Sequence, residues 1–469
     1  MQQLSEMDSN FLQQETALTP MHISPVIIYD QSTRKGGKVR FKEILRVFEN
    51  NLGKSAVFRR KLAGGAMGLD TPYWVEDPDF SLEFHVRHIA LPKPGDWRQL
   101  CILLARLQSR GLDMKRPLWE AYVIEGLNEV AGLPKNSFAI MLKVHHAAID
   151  GVSGAEIVTA IHSLSKDIEP PMQADDWQGE RDPSSWQVWS RAYLHSLQRP
   201  AKFVSKVSEL VPAFIRANKL GAESGEGPKA PSLHTRFNGR VDSSRVTDAL
   251  VMDLAEIKRM RKAVEGATIN DVIVSIVGGG LRKYLQDKDE LPSESLSCAA
   301  PISMRVERGS DSVGNQVSQM NISMATDIED PLQRLQAVQH SANQAKAYAA
   351  ALGTSVLMDV SEIMVPQVLG MGMRAVSYAA ANTNMPVPSH VVVSNIPGPQ
   401  QPLYLAGARV HLLTGLGPLL HMMGLFHAVL SGAGRITINF VSCRSMLPDP
   451  EFYQQCLQES FEELRSAVD

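Results

Sequence analysis

The sequence predicts an α/β protein built from two halves of similar size. Strand-like and helix-like patterns alternate in both halves, which is typical of α/β folds. Between them lies a stretch with seven prolines and three of the six tryptophans. The 469 residues also exceed one typical domain. We therefore predict an N-terminal half over 1–164, a connection over 165–235 and a C-terminal half over 236–469.

Apolar periodicity separates strands from helices in the N-terminal half. Residues 25–30 (PVIIYD) predict a strand, and residues 41–52 predict an amphipathic helix. Residues 137–146 (SFAIMLKVHH) form a nearly continuous apolar run, which is typical of a strand buried on both faces. After a short turn, residues 151–165 show helical spacing.

The connection is expected to be partly helical and partly mobile, with the mobile part near 221–232. Its segment 187–220 is mildly basic and apolar. A membrane-facing helix and a packed linker both fit this composition.

The C-terminal half returns to alternating patterns. Gly278, Gly279 and Gly280 lie within an apolar helical pattern without a following Lys-Ser/Thr, which favours close helix packing over a phosphate-binding loop. The predicted helices are 253–264, 268–285, 330–352 and 448–468. The predicted strands are 296–305, 389–396 and 434–441.

Composition excludes several classes of protein. The 47 basic and 50 acidic side chains leave a net charge of −3, so no overall positive field attracts nucleic acid. Four cysteines without C-x-x-C spacing argue against a disulfide framework or zinc ribbon and favour a reducing compartment. We find neither a signal-peptide pattern nor an apolar run of about 18 residues that could span a membrane.

The segment HHAAIDG, residues 145–151, carries the strongest chemical signal. Two histidines end a buried strand, and Asp150 and Gly151 follow in the turn before a helix. Neighbouring strand residues point to opposite faces, so only one imidazole faces a given cavity. His146 shares its side with apolar residues, and His145 shares its side with a lysine. A neutral imidazole at this place can take a proton from a hydroxyl or amine nucleophile.

Structural interpretations of the same segment remain open. A histidine can be a satisfied polar residue, and an aspartate before a helix is often an N-cap. The spacing His-His-x-x-x-Asp does not match a common metal site, so no metal is expected.

HHAAIDG resembles the HHxxxDG signature of the acyltransferase superfamily that includes chloramphenicol acetyltransferases and peptide-synthetase condensation domains. Within that superfamily, the chain resembles the bacterial wax ester synthase/acyl-CoA:diacylglycerol acyltransferases, from about residue 5 to 465. The matching segments, in order, are SEMDSNFLQQE, PMH (20–22), PLW (117–119), ND (270–271), PISMR (301–305), GN (314–315) and SNIPGP (394–399).

The resemblance implies two chloramphenicol-acetyltransferase-like halves, each with a mixed sheet and flanking helices, and an active-site tunnel between them. It implies that His146 is a general base that removes the proton of an acceptor alcohol. The alkoxide would attack the acyl-CoA thioester directly, without an acyl-enzyme. Acyl-CoA would be a substrate, and no cofactor is expected.

The same resemblance nominates residues that support the histidine. Asp150 would pair with an arginine that orients its loop, for which Arg59 and Arg305 are the candidates. Asn270 has a side-chain amide that could donate to an oxyanion or to substrate. Asp271 follows a threonine in a T-x-x-D pattern, which also predicts a helix cap.

Two further segments are candidates for substrate binding or structural support. Pro117, Leu118 and Trp119 fit an apolar wall beside an acyl tunnel and equally a plain core contact. Ser394 and Asn395 end a strand before a Pro-Gly turn, and the resemblance implies that this segment lies near the tunnel.

The predicted function is acyl-CoA-dependent O-acyl transfer to long-chain fatty alcohols and diacylglycerol. Acyl transfer to an amine or small polar alcohol, and non-catalytic lipid binding, are the alternatives. We expect a cytoplasmic monomer or homodimer that attaches peripherally to the inner membrane or to lipid droplets and does not bind nucleic acid.

Overall fold

A computed structural model of the chain confirms the predicted α/β class. Two six-stranded sheets and one three-stranded sheet form among the residues that it describes. No helix in this part of the chain has the length and apolarity needed to cross a bilayer. The described residues are 2–34, 36–64, 70–149, 154–167, 177–195, 234–303, 317–352, 372, 374–379, 382–383, 387 and 389–468.

A strand occurs in each region where one was predicted, and both of its ends lie within three residues of the predicted bounds. In chain order they are β1 (Gln2–Gln3), β2 (His22–Asp30), β3 (Arg60–Ala63), β4 (Tyr73–Glu76), β5 (Val86–Ala90), β6 (Trp119–Leu127), β7 (Ser137–His145), β8 (Arg245–Asp253), β9 (Ser297–Ser303), β10 (Val317–Ser323), β11 (Val391–Ile396), β12 (Tyr404–Leu405), β13 (Ala408–Leu416), β14 (Leu425–Gly432) and β15 (Arg435–Cys443).

The helices include those predicted at both ends of the C-terminal half. In chain order they are α1 (Glu6–Gln14), α2 (Phe41–Asn51), α3 (Leu82–His85), α4 (Trp97–Gln108), α5 (Gly154–Ala160), α6 (185–195), α7 (Leu254–Met260), α8 (Ile269–Asp287), α9 (Pro331–Leu352), α10 (374–379) and α11 (Pro450–Val468).

The first six-stranded sheet has the order β12-β13-β2-β7-β6-β5. Strand β7 lies at its centre, is buried along its whole length, and pairs antiparallel with β2 and β6. This confirms the prediction of a strand buried on both faces. Helix α2 covers one face through Phe48, and helix α4 covers the other through Leu100 and Leu104.

Two strands of this first sheet come from the C-terminal half. Strand β13 pairs antiparallel with β2 from Arg409 opposite Asp30 to Leu416 opposite Ser24, and β12 extends the edge. The division into consecutive halves at 164 and 236 therefore does not coincide with the division into sheets. The halves are interlocked, because separating them would expose the edge of β2.

The second six-stranded sheet has the order β10-β9-β11-β14-β15-β8. It is mixed, because β11 runs parallel to β9 and β14 while the other pairs are antiparallel. Helices α8, α9 and α11 pack on it and on one another, and their apolar side chains belong to the largest hydrophobic cluster among the described residues. A small sheet of the order β1-β4-β3 completes the N-terminal half.

The connection is described only in part. Helix α6 lies within it. The segment 221–232, which was expected to be mobile, lies outside the described residues.

The glycine triplet is confirmed as a close packing surface of α8. A Cβ atom on Gly278 would lie 2.2 Å from the backbone oxygen of Met324, and one on Gly280 would lie 2.7 Å from Leu457 Cδ2. Because these positions have no side chain, two segments can approach α8 closely. One is the segment before α9 that contains Met324, and the other is helix α11.

Replacement of Gly278 by alanine should lower the free energy of unfolding by about 1–3 kcal/mol, because backbone atoms must move to admit the new methyl group. This loss is expected to exceed the helix-propensity gain of alanine, about 1 kcal/mol. Chemical denaturation followed by circular dichroism measures it. Gly239→Ala is the control, since its Cβ would meet only Met446 Cε at 3.6 Å; equal destabilisation of both variants would contradict the prediction.

Candidate active site

The histidine pair lies where strand β7 ends. The backbone N–H of His145 donates to the carbonyl of Leu118 at 3.0 Å, and the N–H of His146 donates to the carbonyl of Met21 at 2.8 Å. These bonds run to the segments on both sides of β7, so the neighbouring strands position both histidines. A short 3-10 turn, His146–Ala148, follows directly.

His145 is fully buried and has partners at both ring nitrogens. Its Nδ1 accepts from the backbone N–H of Ala147 at 3.1 Å, so the ring proton lies on Nε2. Nε2 lies 2.5 Å from Oε2 of Glu15, and it therefore donates to this carboxylate. His145 Nδ1 binds the turn that carries His146, and Nε2 binds the residue that follows α1, so the ring links these two segments.

His146 is only partly buried, and its ring stacks on Phe11 of α1 with centroids 3.9 Å apart. Burial, and to a lesser degree the neighbouring His145, lower the pKa of His146 to about 4. The imidazole is therefore neutral at pH 7, the form that can accept a proton. Helix α1 thus supplies both the stacking partner of His146 and, just after its end, the carboxylate that holds His145.

Glu15 and Phe11 are functional candidates that the sequence analysis missed. Both lie within SEMDSNFLQQE, which contributed there only as part of the resemblance. Glu15 contacts His145, which lies 130 positions later in the chain, and Phe11 stacks on His146. The sequence shows the Glu15 carboxylate at the end of SEMDSNFLQQE. No residue near it in the chain indicates that its partner is His145.

The PLW segment packs directly beside the histidines. Leu118 and Trp119 are fully buried, and Leu118 provides the carbonyl that binds the His145 backbone. The Trp119 ring stacks on His85 at 4.7 Å, and its Nε1 donates to the Phe58 carbonyl at 3.0 Å. Pro117 precedes this anchored pair. These contacts are structural, and a further role as a tunnel wall stays a prediction.

Three candidates lie outside the described residues, namely Asp150 and Gly151 of the loop after the histidines, and Arg305. The guanidinium of Arg59 lies 4.8 Å from the ring centroid of Trp177. Whether Arg59 or Arg305 pairs with Asp150 stays a prediction.

Asp271 caps helix α8, which confirms the capping pattern. Its Oδ2 accepts from the N–H and the hydroxyl of Thr268 at 2.7 and 2.8 Å, and the Thr268 hydroxyl accepts from the N–H of Asp271. Asn270 is partly buried in the same first turn. Helix α8 packs against α9 and α11, and the catalytic role of Asn270 stays a prediction.

Ser394 and Asn395 lie on β11 in the second sheet. Both are partly buried and pair with Ala428 and Val429 of the parallel strand β14. The following turn approaches β14 so closely that a Cβ atom on Gly398 would lie 1.9 Å from a backbone oxygen. Their place near a tunnel stays a prediction.

A cavity of about 350 Å³ lies next to Glu15, on a surface that both halves build. Arg374 borders it and donates from Nη2 to the backbone carbonyl of Glu15 at 2.7 Å. His421 borders it from the other side, and burial together with Arg240 lowers the pKa of its imidazole. The residues that line the cavity are Gln14, Thr16, Thr19, Arg374, Ala375, Ser377, Tyr378, Leu420 and His421.

Comparison with known protein families gives two matches. Residues 4–273 match the model of the wax ester synthase/diacylglycerol acyltransferase catalytic domain, and residues 313–465 match that of the WS/DGAT C-terminal domain. Together the two models span nearly the whole described chain, including the histidine pair.

Individual proteins give similar results. A relative from Mycobacterium tuberculosis (strain CDC 1551 / Oshkosh), whose name is that of a diacylglycerol O-acyltransferase, is 34% identical over 100% of this chain and 91% of its own. A similarly named protein of Mycobacterium bovis is 32% identical over 100% of both chains.

Solved structures show the same fold. The wax ester synthase/diacylglycerol acyltransferase from Marinobacter aquaeolei VT8 superposes with a TM-score of 0.67 at 24% identity, covering 99% of each chain. The first condensation domain of the calcium-dependent antibiotic synthetase gives 0.57 at 11% identity, covering 100% of this chain and 96% of its own. The fold is therefore the condensation-type α/β fold that the resemblance implied.

Replacement of Glu15 by leucine should lower the free energy of unfolding by about 1–3 kcal/mol, because it leaves the buried N–H of His145 without its acceptor. Turnover should fall as well, since the turn that carries His146 loses a constraint. Glu15→Gln keeps an acceptor oxygen and should recover most of both losses. Denaturation and initial rates measure the effects.

The matched control is Glu129→Leu, which replaces an exposed carboxylate and should leave stability within about 0.5 kcal/mol of wild type. Wild-type stability and turnover in Glu15→Leu would show that the carboxylate does not position His145.

Proposed function

The chain belongs to the wax ester synthase/diacylglycerol acyltransferase family and is an acyl-CoA-dependent acyltransferase, and we propose that it uses two kinds of acceptor alcohol. Long-chain fatty alcohols would give wax esters, and diacylglycerol would give triacylglycerol. The names of the relatives support diacylglycerol as one acceptor. The observation that carries the chemical proposal is the neutral His146, held at the end of a buried strand.

In the proposed reaction His146 is the general base. It takes the proton from the acceptor hydroxyl as the oxygen attacks the thioester carbon of acyl-CoA. The tetrahedral intermediate then collapses to the ester, the carbon–sulfur bond breaks, and the protonated imidazole returns its proton to the CoA thiolate. A positioned base of this kind typically contributes about 10²–10⁴-fold to the rate.

The cysteine thiols support direct transfer rather than a cysteine acyl-enzyme. All four cysteines are buried, and burial raises their pKa values, to about 12 for Cys298 and Cys456. The thiolate is the nucleophilic form of cysteine, so these thiols are unreactive at pH 7. No thioester to the enzyme is needed when both substrates meet at His146.

The remaining parts of the proposal concern partners. Acyl-CoA is a substrate, and no cofactor takes part. The cavity beside Glu15 is proposed as one opening toward the site, since both halves line it. We further propose a cytoplasmic monomer or homodimer that works at the surface of the inner membrane or a lipid droplet, without nucleic acid.

Release of CoA from palmitoyl-CoA should depend on the presence of hexadecanol or dipalmitoylglycerol. In a folded His146→Ala variant it should fall by about 10²–10⁴-fold, because the base is missing. Detection of the free thiol measures the rate. His340→Ala removes an exposed histidine of α9 and should retain wild-type activity.

Three outcomes would contradict this proposal. A burst of CoA equal to the enzyme concentration without acceptor would indicate an acyl-enzyme. Release with a polar amine but with neither alcohol would favour the condensation-type alternative, and tight acyl-CoA binding without any release would favour lipid binding.

The pH dependence of kcat/KM reports the titration of the free enzyme. Because the pKa of His146 lies near 4 rather than at its ordinary 6.5, the base form persists well below neutral pH. The rate should stay on its plateau from pH 7 to about pH 5 and decline only below it. Initial rates in buffers of constant ionic strength test this; a half-maximal rate near the ordinary value would contradict it.

A further inference from the structure

The middle glycine of the α8 triplet makes room for a buried guanidinium. A Cβ atom on Gly279 would lie 2.3 Å from Arg334 Nη1 and 2.2 Å from Ser460 Oγ. Arg334 lies at the start of α9 and is only 2% exposed. Its Nε and Nη2 donate to the backbone carbonyls of Ile328 and Glu329 at 3.1 and 2.7 Å. The lack of a side chain at 279 therefore gives this guanidinium its place against α8.

The charge of Arg334 is not neutralised by a carboxylate. Among the described residues, no carboxylate forms an ion pair with its guanidinium, and Nη1 has no hydrogen-bond acceptor. Burial lowers the pKa of Arg334 and outweighs the opposite effect of Glu463, while the neighbouring Arg282 lowers the pKa further. Buried charges are normally paired, so this cation lacks the anionic partner that its position requires.

Arg334 borders a cavity of about 570 Å³, which is lined by α8, the start of α9 and α11. A second guanidinium, that of Arg282 on α8, borders the same cavity. Its Nη1 donates to the backbone carbonyls of Thr326 and Asp327 at 2.9 and 3.3 Å. Its Nη2 lies 3.9 Å from Glu329, whose side chain is 92% exposed. Both guanidinium groups are thus anchored mainly by backbone carbonyls, which leave their positive charge in place.

Other charged groups at the cavity have close partners within the protein. Lys283 Nζ lies 2.6 Å from a carboxylate oxygen of Glu463 and 3.6 Å from one of Glu459. Asp330 caps α9, because its Oδ1 accepts from the backbone N–H of Gln333 at 2.8 Å. The positive charge that remains at the cavity is therefore that of the two arginines.

We propose that this cavity binds a phosphate group between Arg334 and Arg282, as inorganic phosphate or as part of a small phosphomonoester. Guanidinium groups bind phosphate oxygens through paired N–H donors. A phosphomonoester carries a charge of about −1.5 to −2 at pH 7, which matches two guanidinium groups better than a single carboxylate does. Helix α9 begins at Pro331, which lines the cavity, and the N-terminal end of a helix favours anions.

This phosphate site is distinct from the cavity beside Glu15, since the two cavities share no lining residue in the described part of the chain. A water molecule takes up about 30 Å³ of the liquid, so the cavity leaves room for the small molecule that carries the phosphate. Bound phosphate would join α8 to the start of α9. The proposal does not rest on the acyltransferase activity, and its test needs no substrate.

Isothermal titration calorimetry of the full chain, at constant ionic strength and without substrates, tests the phosphate site. Inorganic phosphate and glycerol 3-phosphate are the probes, and acetate is the reference anion. Both phosphate compounds should bind saturably at one site per chain, and acetate should not. Tighter binding of glycerol 3-phosphate would identify a phosphomonoester as the ligand, whereas equal binding would identify inorganic phosphate.

Two arginine variants test the residues of the site. Arg282→Gln and Arg334→Gln should each raise the Kd of phosphate by about 10- to 100-fold, since each removes charged donors. Arg282 is partly exposed, so its replacement keeps the test valid if loss of the buried Arg334 disturbs folding. Lys258→Gln is the matched control, because it removes an exposed cation of α7 and should leave the Kd unchanged.

Four outcomes would overturn the proposal. The first is that neither phosphate compound binds, and the second is that acetate binds as tightly as phosphate. The third is a wild-type Kd in folded Arg282→Gln. The fourth is competition between phosphate and free CoA, which would make the cavity part of the acyl-CoA site rather than a separate site.

Discussion

The position of His146 depends on the complete burial of strand β7. The strand is hydrogen-bonded on both edges and packed on both faces, so its end cannot shift without disturbing the whole first sheet. The backbone N–H groups of His145 and His146 donate to the carbonyls of Leu118 and Met21. The ring of His145 binds Ala147 of the next turn through Nδ1 and Glu15 through Nε2. His146 is thus placed by a rigid element, as precise catalysis requires.

Burial also sets the ionisation of His146 and of the cysteines. Desolvation disfavours the charged imidazole, so His146 stays neutral at pH 7. Desolvation also disfavours thiolates, so the four cysteines stay protonated. One physical effect therefore keeps a base available and removes the competing sulfur nucleophiles.

The interlocked halves add a second constraint on the site. Strand β13 leaves the C-terminal half to pair with β2, whose first residue, His22, lies opposite His145. The strand that flanks the histidine pair is therefore itself held by the other half. The cavity beside Glu15 is lined from both halves, and β13 fixes how those halves meet.

The sequence by itself determined the features that depend on neighbours in the chain. Apolar periodicity placed β7 and α8, the T-x-x-D pattern placed the Asp271 cap, and HHAAIDG located the histidines at the end of a strand. The physical reason is that strand and helix periods and caps involve residues a few positions apart. The ordered family segments extended this to the fold, which the solved structures confirm.

Only the tertiary structure decided the features that join distant parts of the chain. The Glu15–His145 contact spans 130 positions, and β13 pairs with a strand that lies more than 370 residues earlier. Whether the large apolar side chains of α6 face the protein or solvent was equally undetermined, since the composition of segment 187–220 fits both a membrane-facing helix and a packed linker. These outcomes depend on which surfaces meet in space, and no local pattern specifies that.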